Sequence, residues 1–210
     1  MKKLVLLFAT FCVLAGAAGA QQIRKSPFEG HWVWDGRGED DPDYIELVFF
    51  GNVMLGMDDE EYPVYEGWPF TFTGSTITIG DDDYEWRYRL SGNTLTITDE
   101  YDDRYSYTKA AVARNPLEGI WKVTGGAGFD PGDEYYLLFT GDIMAEGDRE
   151  DFDGYKMEFR GKTFHPSRIY LGDDASEKDL AEESFEYRVS GRSLTLVDSD
   201  GDEIRLTKVY

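Results

Sequence analysis

The chain is one unit used twice, and that duplication limits what it can fold into more than any other feature. Ser26-Pro27-Phe28-Glu29-Gly30-His31-Trp32 matches Asn115-Pro116-Leu117-Glu118-Gly119-Ile120-Trp121 at an offset of 89 residues. Gly51-Asn52-Val53-Met54 matches Gly141-Asp142-Ile143-Met144 at an offset of 90. Tyr88-Arg89-Leu90-Ser91-Gly92 matches Tyr187-Arg188-Val189-Ser190-Gly191 at 99, as Thr108-Lys109 matches Thr207-Lys208. Each half opens on Pro-x-Glu-Gly-x-Trp and closes on Thr-Lys. The second half carries nine extra residues around Asp173 to Ser184. A repeat this long implies duplication of a whole domain-sized unit. The boundary falls in residues 110–114, which divides the chain into units at 26–110 and 115–210.

Within each half the pattern is that of short strands. Trp86, Tyr88 and Leu90 alternate with Glu85, Arg87 and Arg89; Leu95 and Ile97 alternate with Thr94 and Thr96. Period-two alternation marks a strand with one buried face, and Thr, Tyr and Ile suit a pleated surface. Gly51-Asn52, Gly74-Ser75, Ser91-Gly92-Asn93 and Gly191-Arg192 separate the runs, as tight hairpin turns require. The first half is expected to hold strands near 31–35, 44–50, 52–58, 63–73, 75–80, 84–91, 93–99 and 104–109. A short helix is expected at residues 176–183, capped by Ser176. Eight antiparallel strands joined by tight turns form an up-and-down meander, and closure into a barrel removes its edges. The expected fold is therefore all-β, with two tandem eight-stranded antiparallel barrels. A single barrel built from both halves is disfavoured, because each half carries its own start and end. Proteolysis near Ala111 is then expected to release two folded fragments.

Gly30-His31-Trp32 and Gly119-Ile120-Trp121 resemble the Gly-x-Trp signature of the first strand of lipocalins and other calycins. With Ser-Gly-Arg-Ser-Leu-Thr-Leu and the terminal Thr-Lys, the pattern is similar to small lipocalin-like domains of exported bacterial proteins. The resemblance implies that a basic residue at the end of the last strand packs across the tryptophan. That gives a structural clasp of Trp32 with Lys109, and of Trp121 with Lys208. Each half is about half the length of a full lipocalin. The inward candidates Trp32, Trp34, Ile45, Leu47, Phe49, Phe70, Phe72, Trp86, Tyr88 and Leu90 could fill so short a barrel or line a small pocket.

The first twenty residues read as a leader. Met1-Lys2-Lys3 is basic, Leu4 to Leu14 is apolar, and Ala18-Gly19-Ala20 is a small-x-small cleavage signal. A secreted or periplasmic location follows, with no membrane insertion once residues 1–20 are removed. The segment holds Cys12, the chain's single cysteine; lipidation there is disfavoured because Phe11 precedes it. Without the leader, 19 Lys and Arg face 42 Asp and Glu, a net charge of −23. Such a charge argues against nucleic acid or an anionic membrane as partner.

The residues offer little for catalysis. His31 and His165 do not repeat between the halves, and a rim position is expected for each. The acids of 58–61, 81–83 and 148–151 read as solvated turns rather than a general acid and base, which would need a low-dielectric pocket. Asp198, Asp200 and Asp202 place oxygens at alternate positions around Gly201, a candidate calcium loop, or simply a polar hairpin. Tyr62, Tyr65, Trp68 and Phe70 crowd around Pro63 and Pro69, too many prolines for a central strand. They could form an exposed aromatic lip that binds a ligand, or a staple closing the barrel bottom. The expected function is a non-enzymatic exported binding or interaction module, with a small apolar or aromatic ligand at a barrel mouth or an exported protein as partner and no cofactor. The alternatives are a structural or adhesion protein with filled barrels, or a weak calcium binder.

Overall fold

The computed structural model describes residues 25–36, 42–58, 65–80, 84–126, 128–129, 134–148, 150–166 and 184–210. Sixteen strands, all antiparallel, make up its regular structure, and no helix occurs among the described residues. The leader and the expected helix at 176–183 lie outside these residues. The first half holds β1 (Gly30–Trp34), β2 (Glu46–Phe50), β3 (Val53–Met57), β4 (Tyr65–Phe72), β5 (Thr76–Ile79), β6 (Tyr84–Ser91), β7 (Thr94–Thr98) and β8 (Arg104–Lys109). The second holds β9 (Gly119–Gly126), β10 (Tyr136–Thr140), β11 (Ile143–Gly147), β12 (Phe152–Arg160), β13 (Thr163–Pro166), β14 (Phe185–Ser190), β15 (Ser193–Val197) and β16 (Glu203–Lys208).

The first eight strands close into a barrel. Each pairs with its sequence neighbour, and β1 pairs with β8 through Trp32↔Lys109, Val33↔Thr108 and Trp34↔Tyr107. Closure makes the connections alternate between two ends. The tight turns at 51–52, 74–75 and 92–93 lie at the clasp end. The connections after β1, β3, β5 and β7 leave from the other end, and residues 35–45, 58–64, 80–83 and 99–103 hold 16 acids against one base, Arg37. In the second half β9 pairs with β10 and β16, β11 with β10 and β12, and β12 to β16 pair in sequence order.

The barrel interior is filled. Phe28, ahead of β1, is fully buried and meets Phe49, Phe72 and Tyr88 edge-on at centroid distances of 4.8, 5.6 and 4.8 Å. Such geometry suits the ring quadrupole. All the expected inward residues belong to this cluster except Ile45, which packs on the outside. The phase of the chain changes just ahead of β2, so Tyr44 points in and Ile45 out.

The halves are joined by more than a linker. β4 pairs with β12 through Phe152↔Gly67, Asp153↔Glu66 and Gly154↔Tyr65. Around this ladder lies a second apolar core contributed by both halves: Val48, Phe50, Val53, Leu55, Met57 and Tyr65 from one, Ile120, Leu138, Ile143, Ala145 and Phe152 from the other. Pro69 sits within β4, where its sequence argued against a central strand. The ladder to β12 ends at Gly67 and the ladder to β5 begins at Phe70. The missing N–H of Pro69 faces that handover, where no ladder bond is due, while its carbonyl accepts from Gly80 N at 2.9 Å.

This shared ladder and core change the expected outcome of proteolysis. Residues 111–114 are exposed and have no regular structure, so a protease can cut there. The product should be a nicked molecule that still elutes at the size of the intact chain. Separation would require exposing the whole inter-half core. Size-exclusion chromatography of the nicked protein, with and without urea, measures this directly.

Candidate functional site

The clasp is present in both halves and has a clear local cause. Trp32 and Trp121 are 1% and 2% exposed. Each indole N–H donates to the carbonyl four residues back, Trp32 to Phe28 at 2.6 Å and Trp121 to Leu117 at 2.7 Å. Lys109 Nζ lies 5.2 Å from the Trp32 ring centroid and donates to the Glu29 carbonyl at 2.7 Å. Lys208 Nζ lies 5.3 Å from Trp121 and donates to the Glu118 carbonyl. The glycine of Gly-x-Trp makes room for the lysine. A Cβ on Gly30 would come within 2.8 Å of Lys109 Cε, and one on Gly119 within 2.4 Å of Lys208 Cε. Both glycines also hold φ values near +140°, +132° and +146° respectively, which favour glycine.

A polar cluster lies where the halves meet. His31 Nε2 and Tyr65 OH both donate to Glu46 Oε2, at 2.8 and 2.5 Å, and Lys156 Nζ of β12 is 3.6 Å from Oε1. His31 is 9% exposed, so it does not occupy the rim position expected from the sequence. At the matching places the second half has apolar or aromatic residues, Ile120 for His31 and Phe152 for Tyr65. The cluster is therefore a single device of the junction. His31 first, then Tyr65 and Lys156, hold the Glu46 carboxyl down at about 2, against the opposing effect of burial. A carboxyl held below its ordinary value of 4.5 stabilises the fold fully above that value and loses the effect as pH falls toward 2. Allowing for solvent screening, about 1–2 kcal/mol should be lost over that window. Urea midpoints of the wild type and Glu46→Gln between pH 6 and 2.5 should converge as the pH falls.

Other residues singled out from the sequence lie elsewhere. Tyr62 is outside the described residues. Tyr65 is fully buried in the inter-half core, Phe70 is buried inside the barrel, and Trp68 is half-buried against the same interior. The three described residues form no exposed lip: β4 is paired on both sides, and Tyr65, Trp68 and Phe70 each pack into one of the two cores. Asp198 is a turn cap: its Oδ1 accepts the backbone N–H of Asp200 at 2.9 Å and of Asp202 at 2.8 Å. Asp99 does the same for Tyr101 and Asp103 in the first half, both at 2.9 Å. No group of three or more His, Cys, Asp or Glu is placed to hold a metal among the described residues, so the calcium loop of Asp198, Asp200 and Asp202 is not assembled. Asp148 likewise caps its own turn through Glu150 N and Asp151 N. His165 is half-buried on β13, 3.5 Å from Thr163 Oγ1.

The loop-bearing end of the first barrel holds a recess that sequence patterning did not single out. It is lined by the acids Asp43 and Asp99, the aromatic Tyr44, Trp86, Tyr105 and Tyr107, and the apolar Pro42 and Ile97, and its volume is about 10 Å³, enough for one water-sized group. Tyr107 OH donates to the Tyr44 carbonyl at 2.8 Å and Tyr105 OH to Asp99 Oδ2 at 3.3 Å. The site is electronegative. Burial first, then neighbouring carboxylates, push the Tyr44 and Tyr105 phenols up to about 12. Asp43 adds to the upward shift of Tyr44, Tyr84, Tyr101, Tyr105 and Tyr107 alike. The signal in the sequence was the tyrosine and tryptophan positions on the inward phase of β6 and β8, beside an acid-rich connection.

No protein-family model and no curated protein sequence matches this chain.

Proposed function

We propose that this chain is an exported, non-catalytic binding module built of two tandem lipocalin-like barrels, the second formed by β9 to β16. It works in a secreted or periplasmic compartment after loss of residues 1–20. Its partner, a small molecule or another exported protein, meets the loop-bearing end rather than a deep interior cavity. The observation that carries this reading is the packed interior of the first barrel: Phe28, Phe49, Phe70, Phe72 and Tyr88 occupy the space where a larger lipocalin would hold its ligand. The repeated Trp–Lys clasp and the separate core of Trp121, Phe139, Phe164, Leu194 and Leu206 support the tandem arrangement. A non-catalytic role fits the fate of the candidate groups. His31 is held by Glu46 within the junction, and Asp99, Asp148 and Asp198 cap turns.

Native mass spectrometry of the protein purified from its own host tests the reading. The expected species starts at Gln21 and retains no lipid-like molecule. One apolar ligand held stoichiometrically through desalting would overturn it.

A further inference from the structure

We propose that the recess at the loop-bearing end of the first barrel is a binding site for a primary ammonium group. The inference deepens the reading of the loop-bearing end as the working surface, and rests on it.

Size, walls and charge each point to that group. The space of about 10 Å³ admits one group the size of a water, and an –NH3⁺ head has that size. Four aromatic residues, Tyr44, Trp86, Tyr105 and Tyr107, are among those that line it, and aromatic rings attract cations through their quadrupole. Two carboxylates and the apolar Pro42 and Ile97 complete the lining. Asp99 is committed to its turn and to Tyr105. Asp43 is exposed and has no cationic partner among the described residues. Among the described arginines, Arg87 is engaged with Asp102 and lies, like Arg104, on the outward phase of its strand. An alkylammonium would place its charge between Asp43 and the rings and leave its chain toward solvent. A free amine and the side chain of a protein lysine share this chemistry.

Titration calorimetry at low ionic strength, with intrinsic tryptophan fluorescence as a second readout, tests the site. The probes are n-butylamine, n-butanol as its neutral isostere, and the blocked tripeptide acetyl-Gly-Lys-Gly-amide. Butylamine should bind saturably and at least tenfold more tightly than butanol. Asp43→Asn should weaken it at least tenfold, and Glu150→Gln, which removes the same charge from the second half, less than twofold. If the tripeptide binds as well as butylamine, the natural source is a protein lysine; if it binds much more weakly, the source is a free amine. Equal affinity for butylamine and butanol would overturn the proposal. So would equal weakening by Asp43→Asn and Glu150→Gln, which would reveal only a diffuse counter-ion atmosphere. Loss of ammonium binding alone would leave the broader reading intact, whereas a retained apolar ligand would remove both.

Discussion

Trp121→Ala should destabilise the protein by about 3–5 kcal/mol, as removal of a buried aromatic does. Three contributions disappear together. The indole is 2% exposed within the core of the second half, so its truncation leaves a cavity. The Leu117 carbonyl loses its 2.7 Å donor in a buried setting, where an unpaired acceptor costs about 1–3 kcal/mol. Lys208 loses the ring face beneath its charge. Lys208→Ala removes only the last of these and some stem packing, so about 1 kcal/mol is expected. Ile120 adjoins Trp121 and belongs to the inter-half core, and its N–H donates to the Tyr210 carbonyl at 3.1 Å. Damage at Trp121 should therefore reach the first half. Fluorescence of the four remaining tryptophans, all in the first half, and circular dichroism should report one cooperative loss with a lowered urea midpoint. Two resolved transitions, with the first half unperturbed, would contradict this.

That coupling shows where sequence reading succeeds and where it stops. The strands facing water on one side were legible, because Thr94, Thr96 and Thr98 alternate with buried Leu95 and Ile97 along β7. The turns were legible from their glycines, which hold φ near +60° at Gly51, Gly92 and Gly191. The clasp was legible because its two ends repeat at a fixed place in each half. The inter-half core was missed, although it left a mark. β2 reads Glu-Leu-Val-Phe-Phe and β3 reads Val-Met-Leu-Gly-Met, and nearly every position is buried. An unbroken apolar run is what a strand covered on both faces requires. Pairing Ile45, Leu47 and Phe49 as one inward set hid that signal and left Val48, Phe50 and Leu55 without a role.

The functional residues were harder to read for a different reason. His31 lacks a counterpart in the second half, which suggested the rim. Its partner Glu46 is fifteen residues away on the adjacent strand, and the register that brings them together places Val33, not His31, opposite Glu46. Periodicity does not encode such a diagonal contact. Asp43 and the other residues of the recess come from β6, β7, β8, the turn between β7 and β8 and the connection before β2. They converge only when β1 meets β8 and the barrel closes.

Gly154→Val should be the most damaging change at the junction. A Cβ at Gly154 would lie 2.7 Å from Tyr65 Cβ and 3.3 Å from the Tyr65 carbonyl. Neither is the free end of a flexible side chain, so the two strands themselves must part. The mirror position behaves alike: a Cβ at Gly67 would meet Phe152 Cβ at 2.8 Å and Leu55 Cδ2 at 2.4 Å. The glycines face each other's neighbours across the β4–β12 ladder, Gly67 opposite Phe152 and Gly154 opposite Tyr65. Their missing side chains are what let the backbones approach. Overpacking a tight site costs about 1–3 kcal/mol where side chains can yield; here backbone must move, so roughly 3 kcal/mol or more is expected. Displacing Tyr65 would also pull its hydroxyl from Glu46. Gly74→Ala serves as the control, since nothing lies within 4 Å of a Cβ there, and it should stay within about 0.5 kcal/mol of the wild type. Urea titration of the three proteins ranks them. In Gly154→Val, hydrogen exchange should rise first in the amides of Tyr65–Gly67 and Phe152–Gly154 while β7 and β15 remain protected. Uniform exchange across all strands would mean that β4–β12 is no weak seam and that the two halves open only as one.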